Sequence, residues 1–435
     1  MPPPADLADL LTRVRKSGLA PMAEVEALAA DPTGAPAGVW TPPHLLERLV
    51  RDHTLTEFQA DRIAAGKYKG FVLGHYVILG RVGSGGMGQV FLAEHAEMRR
   101  LVALKVLTVP PAQSPTARER FLREARAAAA LDHPHILKVF DLNREGRLLY
   151  LVMEYLAGVN LQELVARAGP LSVGAAVSAA TQVCDGLAHA HGRGLVHRDV
   201  KPANALIDAA GTVKLLDLGL VRSEADADSQ LTAASGGAFL GTADYVAPEQ
   251  AVDSSAVDGR ADLYSLAATL YYLLAGQPLF PGGGAAQKLM WQQWREPKPL
   301  TVLRTDLPAG LWEVVRKGIA KRKENRYRSA REFAEALAPF ALPDGRRVPP
   351  PAYLMPRLPR RRWMADAQFA SAPTVEMASA LTATPLMTPP PIPRRLPPVA
   401  APPPPRIGSL LVGVAAVVAL TAAVAVVAVV VLKLL

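Results

Sequence analysis

The chain has 435 residues, which is long enough for one domain of about 250 to 300 residues together with smaller segments. Its formal net charge is +9, but residues 343–435 hold ten Lys and Arg against three Asp and Glu, so the remainder is nearly neutral. A basic tail beside an apolar segment favours an anionic membrane surface over nucleic acid as a partner, and the single cysteine, Cys184, excludes an intrachain disulfide framework and a cysteine metal cluster.

Residues 1–70 show short apolar periodicities that are interrupted by turn-forming segments. Leu7, Leu10, Leu11 and Val14 repeat at helical spacing, and DPTGAPAG and TPP separate such runs. We therefore expect an N-terminal helical extension that packs on the neighbouring domain, and the sequence assigns it no role.

From Tyr76 to about Val109, short β-rich runs alternate with turns, which predicts an antiparallel sheet. The run GSGGMG at residues 83–88 lets backbone amides close over phosphate oxygens, because it lacks bulky side chains. Dinucleotide-binding folds share this spacing but require a helix next, whereas QVFLAEH predicts a strand. On the next strand, Lys105 could neutralise phosphate oxygens if an acid fixes its side chain, and Glu124 in the helix expected from Pro115 to Leu131 is the candidate acid.

The sequence then becomes mainly helical, so a small sheet-rich lobe precedes a larger helical one. The clearest long helix is SVGAAVSAATQVCDGLAHAHGRG, and it leads into LVHRDVKPAN. Eighteen residues beyond Asp199 of that motif, Asp217 stands in VKLLDLGL. With these motifs the sequence resembles the bacterial eukaryotic-like (Hanks-type) serine/threonine protein kinases.

The resemblance covers about Tyr76 to Leu342 and implies an α+β, bilobal protein kinase fold with a β-rich N-lobe and a larger α-helical C-lobe. It also implies ATP and Mg²⁺ as cofactors, with Mn²⁺ as an alternative ion, and Ser/Thr residues of proteins as substrates.

Catalysis would rest on Asp199, Lys201 and Lys105. The family implies that Asp199 accepts or orients the proton of the substrate hydroxyl, and that Lys201 reaches the transferred phosphate, which argues against a tyrosine kinase. Asn204 and Asp217 would supply oxygen ligands suited to Mg²⁺. The family implies ATP contacts from the glycine loop, the lysine strand and the hinge: Val82, Gly83, Ser84, Gly85, Gly86, Met87, Gly88, Val90, Ala103, Lys105, Glu124, Glu154 and Leu156.

The segment from Asp217 ends in GTADYVAPE, which is similar to the end of the family's activation segment. Thr232, Ser235 and Thr242 are its candidate regulatory residues, with Thr232 in a stretch where related kinases autophosphorylate. Thr242 would also bond the Asp199 carboxylate. The residues expected to support the fold are Arg198, Glu249, Asp262 and Arg326, of which Arg326 is expected to pair with Glu249.

One position departs from the family pattern, because Leu218 replaces the more usual Phe; another large apolar side chain there should be tolerated. A catalytically silent kinase-fold scaffold at the membrane is the alternative function, although such scaffolds usually lose Lys105, Asp199 or Asp217. A kinase of small metabolites is disfavoured because those enzymes usually lack the segment ending in Ala-Pro-Glu.

Residues 343–406 contain 18 prolines, which predicts an extended basic linker without a core. Residues 407–432 follow without a charge and are long enough to cross the roughly 30 Å hydrocarbon layer. We therefore expect a single C-terminal transmembrane helix. Because arginines precede it and the N-terminus shows no secretory signal, we expect the kinase domain to be cytoplasmic. The sequence leaves open the substrate, the signal and a kinase homodimer.

Overall fold

The structure is a computed structural model, and it describes residues 4–85, 88–107, 125–146, 148–216, 242–252 and 257–359. All of these residues belong to one compact unit of the chain, Met1–Thr384. The remaining unit, Pro385–Leu435, lies outside the described residues and includes the predicted transmembrane helix. Within the described ranges, no helix combines the length and the apolar character needed to cross a bilayer.

The segment before the sheet folds into short helices whose apolar faces share one core with the sheet. The helices are α1 (Leu7–Ser17), α2 (Met22–Ala30), α3 (Pro42–Arg51) and α4 (Glu57–Ala64). Leu10, Leu45 and Ile63 of this extension pack in the same buried cluster as Leu79 and Leu92 of the sheet. The extension is therefore continuous with the small lobe.

The small lobe contains an antiparallel sheet with the strand order β1-β2-β3-β4-β6-β5. Its strands are β1 (Val72–Leu73), β2 (Tyr76–Gly85), β3 (Gly88–His95), β4 (Leu101–Leu107), β5 (Val139–Glu145) and β6 (Leu148–Glu154). Strands β1 to β4 pair consecutively, as do β5 and β6, whereas β4 pairs with β6 rather than with β5. The alternation of β-rich runs and turn residues predicts such antiparallel neighbours. Residues 125–129 are helical and are named α5; most of the helix expected from Pro115 to Leu131 lies outside the described residues.

The large lobe is mainly helical, as the sequence predicts. Its helices are α6 (Leu161–Ala168), α7 (Val173–His191), α8 (Pro248–Val252), α9 (Arg260–Ala275), α10 (Ala285–Trp294), α11 (Leu300–Leu303), α12 (Leu311–Gly318) and α13 (Ala330–Leu337). The long predicted helix is α7, which begins after Ser172, whose hydroxyl accepts a hydrogen bond from the Ala175 amide. A small sheet of β7 (Gly158–Asn160), β8 (Ala205–Asp208) and β9 (Val213–Leu215) packs on this lobe's core, which contains Val159, Ile207 and Val213.

The packed part of the chain extends past residue 343, where the linker was predicted to start. Residues 343–359, which the proline content assigned to it, pack against the large lobe. Leu354 is only 5% exposed and lies in the core cluster of that lobe, and Arg347 donates a hydrogen bond to the Thr212 hydroxyl at 2.8 Å. Short 3₁₀ turns at Pro343–Gly345 and Ala352–Leu354 let this proline-rich chain follow the surface. The remainder of the predicted linker, residues 360–406, lies outside the described residues.

Candidate active site

The backbone ladder of the small lobe places the predicted lysine opposite the glycine-rich strand. Val90 on β3 pairs with Gly83 on β2 and with Lys105 on β4, and Lys105 also pairs with Leu151 on β6. Residues directly opposite in an antiparallel sheet project from the same face. Lys105 is only 5% exposed, so its ammonium group requires compensating acceptors.

The face that carries Lys105 is covered by the helix that follows Glu124. Ala125 and Ala128 of α5 pack with Ala103, Leu151 and Met153 in one cluster, and Val90 lies against it. Glu124 itself lies outside the described residues, so its ion pair with Lys105 stays a prediction. The packing of α5 nevertheless brings the chain next to Glu124 onto the correct face of the sheet.

The other predicted nucleotide contacts lie on the same strands and at the hinge. Val82 is 54% exposed near the end of β2, whereas Ala103 is buried on β4. Glu154 is the last residue of β6, and Leu156 follows it, half-buried, in the connection to the large lobe. Gly86 and Met87 lie outside the described residues.

Four side chains of the large lobe converge in the catalytic loop. Lys201 Nζ lies 3.0 Å from Asp199 Oδ2 and donates a 2.8 Å hydrogen bond to Thr242 Oγ1. Asn204 Nδ2 donates to the Asp199 carboxylate at 2.8 Å and to its backbone carbonyl at 2.9 Å. The direct bond expected between Thr242 and Asp199 stays a prediction, and Lys201 connects the two side chains.

The backbone of this loop is held in an unusual conformation by a buried aspartate. Arg198 has a φ of 63°, which side-chain-bearing residues rarely adopt. Asp262, which is 1% exposed, accepts hydrogen bonds from the amides of His197 and Arg198 at 2.8 and 2.7 Å and from His191 Nε2 at 2.8 Å. The Gln250 amide donates to the Arg198 carbonyl at 3.0 Å. These contacts offset the backbone strain and fix Asp199, the next residue.

The same loop fixes the residue before Asp217. The Leu216 amide donates to the Asn204 carbonyl at 2.9 Å, and His197 Nε2 contacts the Leu216 carbonyl at 2.8 Å. His197 thus has a structural role. Asp217 lies outside the described residues. Its neighbour Leu216, however, is hydrogen-bonded to Asn204, which is the other predicted metal ligand.

The described part of the proposed metal site suits a hard cation. The Asn204 amide nitrogen is occupied by two bonds to Asp199, which leaves the amide oxygen as an available ligand. No group of three or more His, Cys, Asp or Glu in the described part of the chain is arranged to hold a metal. Of the two predicted metal ligands, Asn204 is therefore described, and Asp217 stays a prediction.

Two further contacts tie the site to the rest of the molecule. Arg326 and Glu249 form the expected pair, with Nη1–Oε1 and Nη2–Oε2 distances of 2.7 and 2.8 Å, and the Arg326 side chain is fully buried. The second contact is an ion pair between Lys214 on β9 and Glu154 at the end of β6. The sequence did not predict this pair, because no spacing rule relates the two residues.

Of the candidate regulatory residues, Thr242 is 8% exposed, whereas Thr232 and Ser235 lie outside the described residues.

Comparisons with known proteins agree with this arrangement. The protein kinase domain family matches residues 76–334. The serine/threonine-protein kinase PknB of Mycobacterium tuberculosis is 41% identical over 260 residues, which are 59% of this chain and 41% of PknB. PknA of M. tuberculosis is 39% identical over 311 residues, covering 70% of this chain and 69% of PknA. The chain therefore spans about two-fifths of the length of PknB but a larger share of PknA.

Solved structures give the same fold. The crystal structure of the M. tuberculosis PknI kinase domain matches 63% of this chain and 99% of that domain, with 33% identity and a TM-score of 0.50. Rad53 1-466 in complex with AMP-PNP matches 62% of this chain and 66% of that chain, with a TM-score of 0.51, and at 22% identity it supports the fold alone. The chain therefore belongs to the protein kinase family, among the eukaryotic-like serine/threonine kinases of bacteria.

Proposed function

We propose that this chain transfers the γ-phosphate of ATP to Ser or Thr hydroxyls of proteins. The observation that carries the proposal is the position of Lys201 Nζ, which lies within 3.0 Å of both Asp199 Oδ2 and Thr242 Oγ1. A carboxylate, an ammonium group and a hydroxyl from the chain's Ala-Pro-Glu region thus lie around one point, which supports Asp199 as the general base. Bacterial serine/threonine kinases among its relatives support the same substrate class.

The chemistry assigned to these residues is positioning and neutralisation of charge. The substrate hydroxyl loses its proton to the Asp199 carboxylate as its oxygen bonds to the γ-phosphorus, and the bond from that phosphorus to the β–γ bridging oxygen breaks, releasing ADP. Lys201 neutralises charge on the transferred group while its contact with Asp199 holds the base in place. Asn204 and Asp217 would hold Mg²⁺, which supplies positive charge to the phosphates.

The small lobe would hold the nucleotide. Lys105, fixed by Glu124, would contact phosphate oxygens, and the glycine-rich strands β2 and β3 would cover them. The backbone of Glu154 and Leu156 would bond the adenine. In support of this, Gly83, Val90 and Lys105 occupy one row across three strands.

The proposal also includes attachment to a membrane and control by phosphorylation. Residues 407–432 would form a single membrane-spanning helix with the kinase domain in the cytoplasm, supported by their uncharged sequence. Autophosphorylation of Thr232 or Ser235 would supply an anion for Arg198. Formation of a kinase homodimer would favour this autophosphorylation.

The test is a phosphotransfer assay on the full-length chain purified in a mild detergent. With Mg²⁺ and γ-labelled ATP, we expect label on Ser or Thr of a generic basic protein and of the chain itself. Asp199→Asn should lower the rate about 10²- to 10⁴-fold, because it removes the general base. Asp185→Asn, an exposed change on α7, should keep full activity. Equal rates for Asp199→Asn and the wild-type chain would overturn the proposal.

A further inference from the structure

The N-terminal extension meets the glycine-rich strand at an irregularity of the sheet. In the β2–β3 ladder, Ile78 pairs with Ala93 and Gly80 pairs with Leu92, so Leu79 is an extra residue on β2. This is a β-bulge, which leaves the extra residue without a ladder partner. Strand β1 pairs with β2 only at Tyr76 and Val77, and the Phe71 carbonyl before it accepts from the Ile78 amide at 2.7 Å. The carbonyls at the bulge are bound instead by helix α4.

Two side chains at the start of α4 satisfy the backbone of the bulge. The Thr56 hydroxyl donates to the Leu79 carbonyl at 2.6 Å, and Gln59 Nε2 donates to the Ile78 carbonyl at 2.7 Å. Buried carbonyls are costly when they lack a donor. The extension thus supplies the hydrogen bonds that the sheet leaves unmade.

The same two residues form the cap of α4, so their positions are fixed from both sides. The Thr56 hydroxyl accepts from the Gln59 amide at 3.2 Å, and Gln59 Oε1 accepts from the Thr56 amide at 3.0 Å. This reciprocal pair is a capping box. Each side chain therefore accepts a hydrogen bond within the first turn of α4 and donates one to β2, from the Thr56 hydroxyl and from Gln59 Nε2.

Water does not replace these bonds, because the contact is buried. Gln59 is 0% exposed and Thr56 is 3% exposed. Ile63 of α4 packs with Leu79 and Leu92 in the surrounding apolar cluster, and the Phe58 ring lies 6.2 Å from that of Phe91 on β3. A polar bond enclosed in this way fixes one arrangement of helix and strand.

The bulge lies directly before the residues proposed to cover the phosphates. Strand β2 continues from Leu79 to Gly85, and Gly83 lies about 13 Å along the strand from Leu79. A bulge bends its strand and increases the local twist. A second register shift lies between Arg81 and Gly83. The bulge at Leu79 is therefore the first of two bends of β2 that together set the direction in which Gly83 approaches Val90 and Lys105.

We infer that the N-terminal extension positions the nucleotide, with Thr56 and Gln59 as positioning residues that hold the bulge of β2. This inference rests on the proposed function and gives residues 1–70 a role in it. Neither residue is among the predicted ATP contacts, and both would act through the backbone of β2. The extension would thus be required for tight nucleotide binding by this chain.

The deciding variant is Gln59→Glu in the full-length chain. An ionised glutamate can still accept the Thr56 amide and keep the capping box, but it has no donor for the Ile78 carbonyl. Because burial raises the pKa of a glutamate at this site and the neutral acid can donate, the constants are measured at about pH 9 as well as at pH 7. We expect the KM for ATP and the Kd of a fluorescent ATP analogue to rise about three- to thirty-fold, while the KM for the protein substrate stays within about twofold. Glu57→Gln, an exposed change in the same helical turn, should change neither constant.

A second pair of variants tests the same contact with smaller perturbation. Thr56→Ser keeps the hydroxyl and should retain wild-type affinity for the ATP analogue, whereas Thr56→Val removes it and should weaken binding. Wild-type nucleotide constants in folded Gln59→Glu and Thr56→Val, even with a lowered melting temperature, would show a purely structural contact and overturn the inference. If the wild-type chain binds the analogue but transfers no phosphate, the proposed function fails while the binding comparison still decides the inference.

Discussion

Lys214 and Glu154 form an ion pair in which Lys214 Nζ lies 2.8 Å from both carboxylate oxygens of Glu154. Glu154 ends the last strand of the small lobe, and Lys214 belongs to β9 of the large lobe, three residues before Asp217. The Glu154 carboxylate also accepts the Lys138 amide at 3.3 Å. The pair therefore joins the predicted adenine contact to the strand that leads to the predicted metal ligand.

We predict that Lys214 and Glu154 are energetically coupled. Their side chains are 16% and 25% exposed, so water screens the pair only in part, and a double-mutant cycle of Lys214→Met and Glu154→Gln should give about 1 kcal/mol in urea unfolding. The Lys138→Met and Asp132→Asn cycle is the control, because that pair is 44% and 78% exposed and should couple weakly. Strict additivity at Lys214 and Glu154 would contradict the prediction.

Arg326 should be among the most destabilising positions in the large lobe. Arg326→Met leaves Glu249 partly buried without its partner and also removes the donors to the Ala320 and Lys321 carbonyls. We expect a loss of about 3 kcal/mol in the free energy of unfolding. Arg316→Met, which breaks an exposed pair with Glu313, should change it by less than about 0.5 kcal/mol. Similar unfolding curves for the two variants would refute this ranking.

Gly318 should not tolerate a methyl group. A Cβ built there lies 2.5 Å from Ala267 Cβ on α9, so α12 and α9 must separate to admit it. Gly318→Ala should destabilise the protein by about 1 to 3 kcal/mol, measured by thermal and urea unfolding. Gly284→Ala is the matched control, because no atom lies within 4 Å of its added Cβ. A wild-type melting temperature for Gly318→Ala would mean that the helices pack less closely.

Lys321 should make stability depend on pH in the alkaline range. Burial lowers the pKa of Lys321 from 10.5 to about 8, and its Nζ has no hydrogen-bond partner among the described residues. Between pH 8 and 10.5 the unfolded chain holds a proton that the folded chain has released, so this group makes stability rise with pH in that window. Below pH 8 both states are protonated, and the burial penalty is constant.

Lys321→Met should therefore stabilise the protein at pH 7 by about 1 to 2 kcal/mol, after allowance for partial exposure to water. The advantage over the wild-type chain should shrink as the pH rises from 8 to 10. Lys298→Met, at an exposed position, should show neither effect. Urea unfolding at pH 7 and 9.5 measures both, and a Lys321→Met advantage that does not change with pH would contradict the assignment.

The sequence predicted the parts of the molecule that depend on local pattern or on family motifs. The spacing of apolar residues identified α7, and the β-rich runs identified the strand of Lys105. Motif order placed Asp199, Lys201 and Asn204 together, and the structure brings these side chains within hydrogen-bond distance.

Contacts between distant segments could not be predicted in the same way. Thr56 and Gln59 have the spacing of a capping box, so the start of α4 was detectable, but a bulge at Leu79 depends on strand register, which no local pattern reveals. The Lys214–Glu154 pair likewise joins residues 60 positions apart. Leu354 was missed because proline content suggested a linker, although one apolar side chain can anchor such a segment to a core.

The burial of Leu354 determines where a crystallisable catalytic fragment should end. Cutting the gene after Leu342, at the end of the kinase motifs, would remove Leu354 from the large lobe and uncover the apolar surface on which it packs. A boundary after Pro359 keeps that surface covered, so the longer fragment should remain monodisperse where the shorter one self-associates.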